Sequence, residues 1–216
     1  MPVKLSSTGG GSVTLTTPST ATDYTATFPA NTGNVVTDSA TQTLTNKTLT
    51  SPVITGASVS SMASSVITSG TSQASTSGTS IDFTGIPSWV KRITVMFNGV
   101  STNGTSPVIV QLGTGATPAY TTSGYQSFVL YNGGTTNITN GLTTIGIGAS
   151  DTRRGSMILS TSGSNSWTEI VGNAVGTNGG AGGGGITLGA ALTAIRITTS
   201  NGTDAFDAGS INILYE

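Results

Sequence analysis

Cysteine and histidine are both absent from this chain. The first absence removes any disulfide framework and any thiolate nucleophile. The second removes the imidazole from Ser-His-Asp and Cys-His arrangements, and together they remove the common zinc sets. Charge is scarce too: charged residues are 7% of the chain, against about 25% in an ordinary soluble domain. Seven basic and eight acidic residues leave a net charge of −1, so no basic stripe exists to neutralise phosphates and no nucleic-acid partner is expected. The nearest candidates, Lys91-Arg92 and Arg153-Arg154, read as solvated strand ends. No apolar run reaches the roughly 18 residues of a membrane span, so membrane insertion is not expected. The start, "MPVKLSSTGGG", lacks the apolar segment of a signal peptide. The expectation is therefore synthesis in a cytoplasm and release by another route, such as lysis. Strong helix formers are also few: Glu occurs only at 169 and 216, and Lys only at 4, 47 and 91.

Thr, Ser, Gly and Asn fill the space that charges and hydrophobes leave. Such residues suit strands with a polar, uncharged outer face, joined by tight turns. The chain is therefore expected to be all-β, and it divides into three parts.

Residues 1–35 read as a small β segment. Val13 and Leu15 share one face of "SVTLT", and Tyr24, Ala26 and Phe28 share one face of "DYTATF"; "TPSTAT" between them is turn chemistry. Two such strands are marginal alone, so this piece needs copies of itself or a host surface. Val13, Leu15, Tyr24 and Phe28 are its candidate anchoring residues.

Residues 36–80 are Thr- and Ser-rich. In "TQTLTNKTLTSPVITGAS" the large apolar residues are only Leu44, Leu49, Val53 and Ile54. A lone chain this poor in hydrophobes cannot offset its ordering entropy. Three intertwined chains can, each contributing those four side chains to a common axis. Residues 36–68 are read as such a thin trimeric stalk, at most ~110 Å long if extended. Residues 69–80 are read as a flexible linker.

Residues 81–216 are different. "RITVMFNGV", "SPVIVQLG", "YQSFVLYN", "LTTIGIG", "GSMILS", "WTEIVGNAV", "LTAIRITTS" and "SINILYE" are short, half-apolar strands. Segments such as "NGGTTN", "STSGSNS" and "GTNGGAGGGG" read as turns or loops between them. This spacing predicts an antiparallel β-sandwich or jelly-roll head, long enough to bury a core of its own.

"TQTLTNKTLTSPVI", preceded by "GGGSVTLTTPSTATDYTATFPANTG", resembles a segment of bacteriophage fibre proteins. "IDFTGIPSWVKRITVMFNGVSTNGTS" and "FDAGSINILYE" resemble the C-terminal domain of phage and prophage fibres. The resemblance implies a homotrimeric virion protein, made in the host bacterial cytoplasm and exposed on the particle surface. Its N-terminus would hold a capsid or tail protein, and its C-terminal head would face a host surface glycan or protein. Members that decorate the capsid as head fibres are the alternative. An N-terminal part of only 35 residues favours a short fibre or one held by a small anchor.

No enzyme, cofactor or metal is expected. Asp204 and Asp207 are the only close acid pair, in "TDAFDAG", and read as an Asx-type turn rather than the paired carboxylates of a glycosidase. "GGAGGGG" lacks the Lys-Ser/Thr of a phosphate loop and reads as a flexible inter-strand loop, adaptable enough for recognition. Sugar binding would use an aromatic platform beside polar amides; Tyr120, Tyr125, Tyr131 and Asn132 are the candidates. Their alternative role is to cap the core or the trimer interface. Trp89 and Trp167 are expected in the core.

Overall fold

The computed structural model describes residues 3–6, 8–15, 48, 50, 67–145, 148–149 and 151–216. The chain divides into two compact units, Met1–Ala57 and Ser58–Glu216. Among the described residues there is no helix, and all strand pairs are antiparallel.

In the first unit, β1 (Val3–Ser6) pairs with β2 (Ser12–Leu15), with Val3 opposite Leu15 and Leu5 opposite Val13. Gly10, at φ +84°, helps turn the chain between them. Val13 and Leu15 thus lie on a strand as expected; Tyr24, Phe28, Leu44, Leu49, Val53 and Ile54 lie outside the described residues.

The second unit holds β3 (Thr68–Ser69), β4 (Gln73–Ala74), β5 (Ser80–Thr84), β6 (Arg92–Thr102), β7 (Val108–Thr114), β8 (Ala119–Tyr120) and β9 (Gln126–Tyr131). It continues with β10 (Gly134–Ile138), β11 (Leu142–Thr143), β12 (Arg153–Gly163), β13 (Ser166–Val175), β14 (Asn178–Thr187), β15 (Leu192–Thr199) and β16 (Phe206–Tyr215). A nine-stranded sheet runs β10-β9-β14-β13-β12-β6-β16-β3, with β4 also on β16. A five-stranded sheet runs β11-β7-β15-β5, with β8 on β7.

Strand periodicity explains how the two sheets share one core. Successive side chains point to opposite faces, so Ile93, Val95 and Phe97 of β6 face inward together with Met157 and Leu159 of β12. Val110 and Leu112 of β7 and Ile195 and Ile197 of β15 meet them in a single buried cluster. Each such side chain contributes roughly 1.5–3 kcal/mol on leaving water. The second face of β7 is covered as well. Ile109 is fully buried beneath the segment before β11, which Gln111 Nε2 holds by donating to the Asn140 carbonyl at 2.9 Å.

Three segments depart from the sequence reading. Residues 68–69 and 73–74, read within the stalk and linker, add to the edge strand β16. Backbone pairing holds them, and Ser75 Oγ donates to the Ala208 carbonyl at 2.8 Å, so hydrophobic periodicity carries no sign of it. Among the described residues, "LTTIGIG" contributes Leu142–Thr143 as strand.

The third departure is the largest. "NGGAGGGG", read as a flexible loop, begins the ten-residue strand β14 inside the large sheet, between β13 and β9. Its glycines allow close approach of backbones. A Cβ on Gly182 would lie 2.0 Å from the Phe128 carbonyl oxygen, and one on Gly184 would lie 2.3 Å from that of Gln126. Side chains there would force β9 away from β14. Glycine also forms a bulge where β16 shifts register against β6: Gly209 takes φ +91°, and a Cβ would lie 2.4 Å from the Gly99 carbonyl oxygen.

Candidate attachment surfaces

The four expected recognition residues do not converge. Tyr125 is 1% exposed, and its hydroxyl accepts the Leu112 amide at 2.8 Å. Burial pushes its phenol up to about 12. Tyr125 is therefore a core tyrosine, tying the entry of β9 to β7, and it cannot reach a receptor. Tyr120 lies on the small sheet, with the Arg196 guanidinium 4.1 Å over its ring. Arg196 in turn donates two hydrogen bonds of 2.8 Å to Asp82. Burial, followed by the negative charge of Asp82, pushes the Tyr120 phenol up to about 12. One face of that ring is already occupied. Tyr131 packs half-buried against the core at the end of β9, and Asn132 is exposed in the turn after it. Only these last two are neighbours.

The tryptophans separate. Trp167 is buried as expected. Trp89 is not: it is 53% exposed. It stands in the turn after β5, its ring centroid 5.9 Å from that of Tyr215 at a tilt of 46°. Tyr215 borders a hollow of about 360 Å³, to which Gln73, Asp82 and Thr71 also contribute. The segment "GIPSWVK" has a Pro before the tryptophan and no strand alternation, and those signals place Trp89 in a loop. Trp89 does not itself line the hollow but stands beside Tyr215, which does, and an exposed aromatic ring next to a polar hollow is a combination a sugar ring can stack on and bond to.

A second hollow, about 530 Å³, lies where β10, β9 and β14 meet, with Gln126, Phe128, Asn137 and Thr139 around a floor of Gly183–Gly185. Phe128 is 45% exposed.

The acids take structural positions. Asp204 accepts from Asn201 Nδ2 at 2.6 Å and from the Ser106 amide at 3.0 Å, and the Asn201 bond first, then the Ser106 bond, hold its carboxyl below the usual range. An Asx-type turn is present, but Asn201 makes it rather than the expected Asp204 or Asp207: Asn201 Oδ1 accepts the amides of Thr203 and Asp204. Asp207 instead accepts from Ser101 Oγ. Among the described residues, no three His, Cys, Asp or Glu side chains gather as metal ligands.

The basic pairs divide. Arg92 is exposed and paired with Glu216, and Arg154 is exposed and donates to Asn98. Arg153, expected on a solvated strand end, is instead fully buried. Its Nε donates to the Ile145 carbonyl at 3.0 Å, and burial lowers its pKa. Its position explains this: Arg153, Met157 and Leu159 share the inward face of β12.

No protein-family model matches this chain, and no curated protein or solved structure matches it either.

Proposed function

We propose that this chain is a non-enzymatic structural protein of a bacteriophage particle. It is a homotrimeric fibre, fixed by residues 1–35 to a capsid or tail protein. Residues 36–68 wind into a stalk, and the C-terminal β-sandwich head attaches to the host cell surface. The observation that carries the reading is the order of parts. A β1–β2 hairpin begins the chain, a Thr/Ser-rich stretch follows in the sequence, and a β unit with its own core ends it, in step with the fibre-like motifs of the sequence. Within the head, Trp89 with Tyr215 and the neighbouring hollow is the attachment point, and a surface glycan is the ligand class it suits. Tyr131 and Asn132 form a second polar-aromatic corner.

A capsid decoration with no essential receptor role is the second reading. What favours it is that several charges of the head are spent internally, in Arg92–Glu216, Arg196–Asp82 and the Asp204 turn, leaving few to grip a partner.

Adsorption competition separates the two readings. Purified full-length protein is expected to block attachment of the particle to host cells, and the Trp89→Ala protein to block it at least tenfold less well. Particles that lack the protein yet adsorb and infect normally would leave decoration as the function.

A further inference from the structure

The outward face of the nine-stranded sheet does not look like the rest of the surface. Many outward positions on these strands hold Thr, Ser or Asn, as on Thr94, Thr168, Ser156 and Asn137. Toward the β10 side of the sheet the pattern breaks. Ile170 is 69% exposed, Leu130 55% and Phe128 45%. The register lines them up. One row across the strands runs Phe128, Gly183, Ile170, Ile158, Thr94, Leu214. The next runs Leu130, Ala181, Gly172, Ser156, Met96, Asn212. Neither row holds a charge; Arg92 and Arg154 stand outside them. A strand that is apolar on both faces is one that is covered on both faces, and β9 and β13 each carry apolar residues inward and outward.

The relief of this face is specific. Gly183 and Ala181 on β14 leave a trough almost bare of side chains. Phe128 and Leu130 rise on one side of it, and Ile170 on the other. Two strand spacings separate those ridges, roughly 9.6 Å, enough to admit one aliphatic row. The face thus carries both a ridge and a matching trough.

We propose that the outward face of the nine-stranded sheet is where a second copy of this chain packs, the Ile170 ridge of one head entering the glycine trough of the next. The inference rests on the multimeric reading above and gives it a surface. A copy is the occupant because an uncharged, apolar patch has no charged partner to complement, and the chain itself supplies the matching shape. The size is adequate. The whole face, with Arg92 and Arg154 in the rows that flank the two apolar ones, spans roughly 34 Å by 23 Å, about 800 Å², which is about what each partner gives to a stable interface.

The absence of cysteine provides the test. Ile170→Cys and, as a control on the opposite sheet's exposed turn, Thr117→Cys each place one thiol in the full-length protein. Solution mass by light scattering and the rate of maleimide labelling are then measured together. The expected result is a multimer in which the thiol at 170 reacts at least tenfold more slowly than that at 117. A multimer in which both react alike overturns this face as the interface and leaves the multimeric fibre standing, whatever else covers the patch. A monomer with both thiols reactive overturns the interface and the multimeric reading together.

Discussion

Ser127 and Glu169, 42 residues apart in sequence, are joined across an intervening strand: Ser127 Oγ donates to Glu169 Oε2 at 2.7 Å. Gly184 of β14 lies between them in the register, opposite Glu169 on one side and Ser127 on the other. A Cβ on Gly184 would sit 2.8 Å from Glu169 Oε2, so the bond exists because glycine is there. Ser127 Oγ also accepts the Thr143 amide at 2.8 Å, which fixes β11 to the same point. Glu169 itself is 3% exposed.

This buried acid makes stability depend on pH. Burial pushes the Glu169 carboxyl up to about 8, against 4.5 ordinarily, while the Ser127 hydrogen bond opposes the shift. Between those values the folded state holds a proton that the unfolded state has released. Stability is therefore expected to fall as pH rises through about 5 to 8, by an amount on the order of a few kcal/mol. Thermal unfolding measured at pH 5 and pH 9 checks this: the midpoint is lower at pH 9. Glu169→Gln, neutral at every pH, is expected to remove most of the difference. An unchanged difference in that variant would assign the effect to another group.

The glycine strand makes a steric prediction with an internal control. Ala at 182 would bring Cβ within 2.0 Å of the Phe128 carbonyl oxygen and 2.8 Å of the Val129 Cα. Both are backbone atoms, so β9 and β14 must part. Gly182→Ala is expected to cost more than ~2 kcal/mol. Gly179 lies in the same strand with nothing within 4 Å of a Cβ, and Gly179→Ala should be neutral or slightly stabilising through reduced unfolded-state entropy. Denaturant unfolding of the two variants gives the comparison; equal losses would mean that flexibility, not close approach, is what glycine supplies.

These residues also mark where the sequence could and could not be read. β6 and β15 announce themselves because Ile93, Val95 and Phe97, or Ile195 and Ile197, recur at every second position beside residues such as Thr94 and Arg196. β14 carries no such signal: its inward positions at 180, 182 and 184 are glycine, and the burial they permit belongs to Glu169 of β13 and Ile145 of the segment after β11. Composition alone marks it as a loop. Ser69 and Gln73 are likewise ordered by backbone bonds to β16. Among the expected recognition residues, Tyr125 reads like an exposed loop tyrosine because its partner, the Leu112 amide, is 13 residues away in sequence. The lone Trp89 reads like core because aromatic content says nothing of which way a turn points.

The stalk proposal predicts that Leu44 and Leu49, which lie outside the described residues, face a shared axis. Leu44→Asp or Leu49→Asp would place a carboxylate in that apolar seam, where an unpaired charge is strongly disfavoured. Limited proteolysis of the full-length protein is the measurement. Residues 36–68 are expected to resist cleavage in the parent protein and to be cut readily in either variant. Unaltered resistance would remove both leucines from the axis.

Arg196 joins three strands of the small sheet. It sits opposite Asp82 on β5 and Gln111 on β7, and it covers the Tyr120 ring of β8. The Asp82–Arg196 pair is about one-third exposed, so solvent screening keeps the ion pair itself to ~1 kcal/mol or less. The stacking adds a comparable amount, ~0.5–1 kcal/mol at such a site. Arg196→Ala is expected to destabilise the head by about 1–2 kcal/mol. Arg196→Lys should recover less than half of that loss, because an ammonium can neither bond Asp82 through two nitrogens at once nor lie flat on the ring. Part of the loss should also shrink in ~1 M salt, where exposed charge interactions are screened within about 3 Å. A full recovery by lysine would show that charge alone, rather than the planar fork, holds β5 to β15.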